Sequence, residues 1–158
     1  MTKKFDHDGN PRPQTKKLIE DLLRQRQRML VLLWELSKLD LKVVDNAIKD
    51  VLNDFIEILV DYIACGHFGL YHRIAEGTER RDPVRKTAEE LYSRISRTTD
   101  IAVDFSERYE AADDDRLRSH LAEDLSTLGE EVTSRIELED QLILAMLGPH
   151  YAIPSAAS

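Results

Sequence analysis

The residues best suited to chemistry in this sequence are five histidines, one cysteine and 30 acidic residues. His67 and His72 are five positions apart, so on a helix they would diverge by roughly 140° and could not share a ligand. The sequence contains no HExxH, CxxC, P-loop or GxSxG motif, and no Glu-x-x-His pairs of the kind that hold di-iron centres. We therefore expect no metal site, no cofactor and no catalytic residue, and we expect that the protein is not an enzyme.

Arg135 and Glu139 are unusual because they occupy positions where apolar residues are expected. They interrupt a stretch whose spacing alternates between four and three residues: Leu121, Leu125, Leu128, Val132, Arg135, Glu139, Leu142, Met146. That spacing is typical of the core seam of a helical bundle, and a charged pair there is costly unless it is well hydrogen-bonded. We interpret the two residues as a buried structural pair that fixes the register. The alternative is a buried site for a small ligand or a metal.

Four acidic residues fall within a narrow arc of one predicted helix: Asp50, Asp54, Glu57 and Asp61. The apolar residues of that helix lie on the opposite side. If the helix continues through Gly66, Ala64 and Phe68 extend the acidic arc. One interpretation is a solvated charged face with Phe68 tucked under a neighbouring segment. The other is a docking strip, on which charges steer a partner and an aromatic ring anchors it.

The first predicted helix is apolar on two sides. Leu18 and Leu22 begin one side, and Ile19 and Trp34 belong to the other. A helix of this kind is either central in the bundle or partly covered by a binding partner.

Four predicted helices position these residues. The first runs from about Thr15 to Lys38, and the second from about Val44 to Ala75. The third begins at Pro83, with Asp82 as its N-cap. The fourth runs from Asp113–Asp115 to Gly148–Pro149. Short joints favour antiparallel neighbours. The expected fold is therefore all-α, an antiparallel up-and-down helical bundle with a four-helix core. We expect the bundle domain to span residues 15–148, between flexible tails at 1–14 and 149–158.

Composition points to a globular protein with an acidic surface. The 158 residues are 42% hydrophobic and 33% charged, with a net charge of −8. An acidic surface repels phosphate, which disfavours direct binding to nucleic acid, and attracts basic partners. The simpler reading of the charge is solubility alone. The sequence has no apolar run of about 20 residues and no secretory signal, so we expect no membrane association. Cys65 has no second cysteine to pair with, which favours a protein of the reducing cytoplasm.

Two segments resemble a known family. Residues 59–71 (LVDYIACGHFGLY) resemble the LVDYxxxGHFxxY signature of the Rsd/AlgQ family, and residues 135–143 (RIELEDQLI) resemble its RFxLEDxLI segment. Ile136 replaces the usual phenylalanine. A weaker match runs from Lys17 to Val31, whereas residues 77–118 show no match residue by residue.

The resemblance implies a four-helix bundle that sequesters the primary, sigma-70-type sigma factor. Members of the family bind region 4 of sigma, a helix-turn-helix domain that reads the −35 promoter element and docks on core RNA polymerase. The expected function is thus that of an anti-sigma factor that blocks both contacts. The residues that match the family's interface positions are Leu18, Asp61, Ala64 and Phe68. Leu22, on the same side of the first helix as Leu18, completes the set of candidate partner-binding residues.

Other functions remain open at this stage. Some members of the family also bind a sugar-phosphotransferase carrier protein, which is a candidate second partner. From the residues alone, one alternative is a helical bundle that senses a metabolite or metal at Arg135 and Glu139. Another is an enzyme that works through His67 and Asp61, although an outward strip does not provide the enclosed pocket that enzymes use.

Overall fold

A computed structural model describes residues 13–71 and 82–153, apart from the side chains of Pro13, His67, Phe68 and Leu70. Those residues form four helices and no strand: α1 (Pro13–Ser37), α2 (Asn46–Ala64), α3 (Asp82–Tyr109) and α4 (Asp114–Leu147). Helix α2 continues as a π-helix, Cys65–Tyr71, which we call the π segment. The all-α fold is as the sequence predicts. None of the helices in the described parts of the chain is both long and apolar enough to span a bilayer.

Capping residues define the ends of two helices. The Asp45 carboxylate accepts a hydrogen bond from the Ile48 N–H at 2.9 Å, and Asp113 accepts one from the Arg116 N–H at 2.8 Å. Helix α4 ends at Gly148, whose φ of 104° lies in the region that favours glycine. Asp82, predicted as the cap of α3, is instead its first helical residue.

The helices alternate in direction. Arg135 on α4 contacts Thr98 on α3, whereas the earlier Asp124 contacts the later Arg108, so α3 and α4 are antiparallel. Two contacts show that α2 runs parallel to α4: Lys49 with Asp114, and Tyr62 with Glu139. Helix α1 packs along α2, and its Leu18 lies beside the π segment that follows α2. The result is the predicted antiparallel up-and-down bundle.

The core lies along the predicted seams. All eight seam positions of α4 are buried, including Arg135 and Glu139. The third helix carries a second predicted seam with the same spacing: Val84, Ala88, Leu91, Ile95, Thr98, Ala102, Phe105, Tyr109. This seam of α3 is also buried, except for the half-buried Ala88. Phe105 of α3 makes an edge-to-face contact with Phe55 of α2, with ring centroids 6.1 Å apart.

Two residues beyond α4, within the tail predicted from residue 149, pack against the bundle. Tyr151 and Ile153 are partly buried and pack against the core. The Tyr151 N–H also donates to the Gly148 carbonyl at 3.1 Å. We propose that the bundle domain extends to Ile153. The remaining predicted tail positions, 1–12 and 154–158, lie outside the described residues.

Candidate functional site

A groove of about 550 Å³ runs between α1 and α2. Its lining residues are Gln27, Arg28, Val31 and Leu32 of α1, with Asp54, Glu57, Ile58 and Asp61 of α2. The three carboxylates are exposed, and Leu32 and Ile58 are half-buried beneath them. Val31 is 43% exposed. The groove thus combines three carboxylates and one arginine, Arg28, with an apolar base formed by Leu32 and Ile58. Such a surface suits a partner segment that carries both basic and apolar side chains.

An exposed aromatic ring lies near this groove. Trp34 follows Val31 by one helical turn of α1 and is 62% exposed. The Lys38 ammonium lies over its ring, 3.7 Å from the centroid. Sequence periodicity had assigned Trp34 only to the second apolar side of α1. The structure shows that this side is partly exposed, at Trp34, while Ile19 is fully buried.

The predicted partner-binding residues divide between the surface and the core. Asp61 is exposed in the groove, and Leu18 and Ala64 are half-buried. Leu22 is fully buried, which corrects its assignment to a partner surface. The reason is the close approach of α1 to the π segment: a Cβ atom placed on Gly66 would lie 3.6 Å from Leu22 Cδ1. Phe68 belongs to the π segment, but its side chain lies outside the described residues.

The second helix was predicted to run regularly to Ala75, but it changes to a π-helix at Cys65. Residues 72–75 lie outside the described part of the chain. A π turn pairs residue i with i+5 and so takes more residues than an α turn. Residues after Ala64 are therefore rotated about the helix axis, relative to Asp61, from the positions that a regular α-helix would give them. The prediction that Asp61 and Phe68 share one face assumed a regular α-helix.

A network of hydrogen bonds joins the helices inside the bundle, with Glu139 at its centre. Glu139 Oε1 accepts from the Tyr62 hydroxyl at 2.6 Å and from Arg26 Nη1 at 3.5 Å. Glu139 Oε2 accepts from the Tyr71 hydroxyl at 3.0 Å and from Arg135 Nε at 3.0 Å. All five residues are buried. One carboxylate thus ties together α1, α2, the π segment and α4.

The network extends to α3, and its positive and negative charges are equal in number. Arg135 Nη1 donates to Thr99 at 2.7 Å and to Thr98 at 3.2 Å. Arg26 also donates to Asp140 at 2.8 Å. Two guanidinium groups therefore face two carboxylates, which makes the burial of these charges tolerable.

Two tyrosines donate to the central carboxylate and enclose Arg135. Burial raises the pKa of Tyr62 and Tyr71 well above their ordinary value, and the negative charge of Glu139 adds to the effect. Both phenols therefore stay protonated and able to donate. The Arg135 guanidinium carbon lies 5.4 Å from the Tyr62 ring centroid and 5.7 Å from that of Tyr71. By its spacing in the sequence, Tyr62 belongs to the apolar side of the second predicted helix, and the sequence indicates no role for Arg26 or Tyr71.

The ligand-binding alternative for Arg135 and Glu139 does not fit this packing. Both Glu139 oxygens already accept two hydrogen bonds. A Cβ atom on Gly66 would lie only 3.1 Å from Arg135 Nη2, which leaves no room for a molecule between them. Within the described residues, no group of three or more His, Cys, Asp or Glu side chains is placed to hold a metal. The enzyme alternative depends on His67, whose side chain lies outside the described set.

Comparison with known proteins gives a consistent family match. Residues 1–147 match the family described as "Regulator of RNA polymerase sigma(70) subunit, Rsd/AlgQ". A protein named "Regulator of sigma D" from Escherichia coli O1:K1 / APEC is 31% identical over 133 residues, which cover 83% of this chain and 84% of that protein. Its namesake from Shigella dysenteriae serotype 1 (strain Sd197) is 30% identical over 134 residues, with the same coverage. No solved structure matches the chain.

Proposed function

Because this chain belongs to the Rsd/AlgQ family of regulators of the RNA polymerase sigma(70) subunit, we propose that it is an anti-sigma factor that binds region 4 of the primary sigma factor. Region 4 uses a helix-turn-helix to read the −35 element, and the same domain docks on core polymerase. A protein that covers this domain prevents both contacts. The mechanism is occlusion and needs no catalytic group, and a polymerase subunit as partner implies that the protein acts in the cytoplasm.

The observation that carries this proposal is the acidic groove between α1 and α2. A helix-turn-helix carries basic side chains that meet DNA phosphates. Asp54, Glu57 and Asp61 offer carboxylates to such side chains, and the net charge of −8 gives the whole protein the sign that attracts them. The apolar base of the groove provides the desolvated contact that most binding energy requires.

The proposed docking surface consists of this groove together with Leu18, Ala64 and Phe68. Leu18 and Ala64 are half-buried, and Leu18 lies beside Gly69 of the π segment. The docking surface thus spans α1, α2 and the π segment. Leu22 is excluded from it because its side chain is in the core.

The proposal is tested by binding of the purified protein to an isolated sigma region 4 domain, measured by isothermal titration calorimetry. Glu57→Gln should weaken binding by about 1 kcal/mol or more, because it removes a carboxylate from the groove. Glu107→Gln is the matched control, since Glu107 is exposed on α3, outside the residues that line the groove. Failure of the wild-type protein to bind region 4 would refute the proposal, and equal losses in the two variants would refute the groove as the contact.

A further inference from the structure

The π segment combines a contribution to the docking surface with a hydrogen bond into the core. It contains Phe68 and follows directly after Ala64. Its last residue, Tyr71, is 7% exposed and donates its hydroxyl to Glu139 Oε2 at 3.0 Å. Glu139 is fully buried and belongs to α4, on the far side of that hydrogen bond. The end of the π segment is thus held by a group that no partner on the surface could touch.

We propose that Tyr71 is a positioning residue for sigma binding: its hydrogen bond to Glu139 holds the π segment in the register that completes the docking surface. The inference rests on the proposed function and goes beyond it, because Tyr71 would determine affinity without contacting the partner. The interaction that holds the segment is a hydrogen bond from the neutral phenol of Tyr71 to the buried carboxylate of Glu139.

The register of the residues beyond Ala64 depends on the π turn. A π turn is rarer than an α turn and holds more residues, so the direction of every side chain after Ala64 depends on whether the wide turn is kept. If the segment relaxed to α-helical hydrogen bonding, the residues beyond Cys65 would rotate relative to Asp61. The residues of the π segment would then face a partner at a different angle relative to the groove.

The π segment packs closely against its neighbours on two sides. A Cβ atom on Gly66 would lie 3.0 Å from Tyr71 Cε2 and 3.1 Å from Arg135 Nη2, so this backbone is packed tightly against the network. A Cβ atom on Gly69 would lie 3.3 Å from Leu18 Cδ2, so the other side of the segment lies close to α1. The close packing of both glycines requires the present path of the backbone. The Tyr71 hydroxyl fixes the C-terminal end of that path.

Tyr62 distinguishes a positioning role from a general contribution to stability. It donates to the same carboxylate, at 2.6 Å to Glu139 Oε1, and like Tyr71 it is buried. It lies in α2, before the π segment begins, where ordinary α-helical hydrogen bonds fix the backbone. Removing the Tyr62 hydroxyl damages the same network but leaves the π segment attached at Tyr71. Tyr62 therefore provides a matched control.

The experiment compares Tyr71→Phe with Tyr62→Phe. Glu139 keeps three hydrogen-bond donors in either variant, so both should fold with a lowered melting temperature. We expect Tyr71→Phe to lose about tenfold in affinity for the sigma region 4 domain, whereas Tyr62→Phe stays within about twofold of wild type. A merely structural role for Tyr71 predicts the same affinity in both variants, and that result would overturn the inference.

A second measurement does not depend on the partner. In the free protein, hydrogen–deuterium exchange of the amides at residues 65–71 should be faster in Tyr71→Phe than in Tyr62→Phe at equal distance from their melting temperatures. If the wild-type protein fails to bind region 4, the proposed function fails, while exchange still tests the attachment of the π segment. Equal exchange in the two variants would overturn the attachment itself, whatever the partner.

Discussion

At the scale of single residues, Glu139 determines how the buried charges of this protein are arranged. A buried carboxylate is unfavourable unless its oxygens are fully hydrogen-bonded. Here each oxygen accepts two hydrogen bonds, and the donors come from α1, α2, the π segment and α4. The pair with Arg135 is only one part of this arrangement.

Replacement of Glu139 by alanine should lower the free energy of unfolding by about 3–5 kcal/mol. The substitution leaves the buried guanidinium group of Arg135 without its carboxylate and removes the acceptor of both tyrosines. Urea denaturation measures the loss. Glu137→Ala, at an exposed position two residues earlier on α4, should have little effect. Equal stability of the two variants would contradict the central role of Glu139.

The raised pKa values of Tyr62 and Tyr71 predict a loss of stability in alkali. Both pKa values are higher in the folded protein than in the unfolded chain, where a tyrosine titrates near pH 10. The folded state therefore keeps its full stability below about pH 10 and loses it as the pH rises above that value, because only the unfolded chain releases these protons. Melting temperatures measured on both sides of pH 10 test this. Tyr71→Phe should show a shallower decline than wild type, and an identical decline would contradict the assignment.

At the scale of elements, the two long seams were predictable and the π segment was not. The seams of α3 and α4 follow a strict four-and-three spacing, so position alone indicates that Arg135 and Glu139 are inside. The first helix lacks such a pattern because both its sides are apolar, and Leu22 was therefore assigned to the wrong environment. Gly66 raised the possibility of a break in the second helix, but the close approach of its backbone to Tyr71 and Arg135 is a tertiary feature that local sequence does not indicate.

The groove between α1 and α2 predicts the effect of a cation placed among its lining residues. Val31→Arg should weaken binding to the sigma region 4 domain about tenfold or more, because the new guanidinium pairs with the groove carboxylates and occupies the apolar contact. Val103→Arg on α3 is the control, since Val31 and Val103 are both 43% exposed. Both variants should melt near the wild-type temperature. Unchanged binding by Val31→Arg would exclude the groove as the docking site.

At the scale of the whole molecule, the net charge of −8 attracts or repels other molecules before any residues are in contact. Acidic residues exceed basic ones by eight, and several of the exposed carboxylates line the groove on one side of the bundle. Such a charge distribution accelerates encounters with basic domains and disfavours encounters with DNA.

The association rate constant with the region 4 domain should fall as the salt concentration rises, while the dissociation rate constant changes less. Salt screens charges that act at long range, since the Debye length is about 10 Å at 0.1 M and about 3 Å at 1 M. Stopped-flow mixing at a series of salt concentrations measures both constants. Association that is indifferent to ionic strength would contradict electrostatic steering.

The position of Trp34 has a consequence for optical spectroscopy. It is the single tryptophan of the chain, it is largely exposed, and it lies one turn beyond Val31 on α1, with the Lys38 ammonium over its ring. The fluorescence of an indole in water shifts to shorter wavelength when the ring is covered by an apolar surface, and its intensity changes when a neighbouring cation moves. The tryptophan emission of this protein therefore comes from one ring near the groove. A partner that lacks tryptophan could be titrated without any label, and an emission shift would report that its contact reaches the C-terminal half of α1.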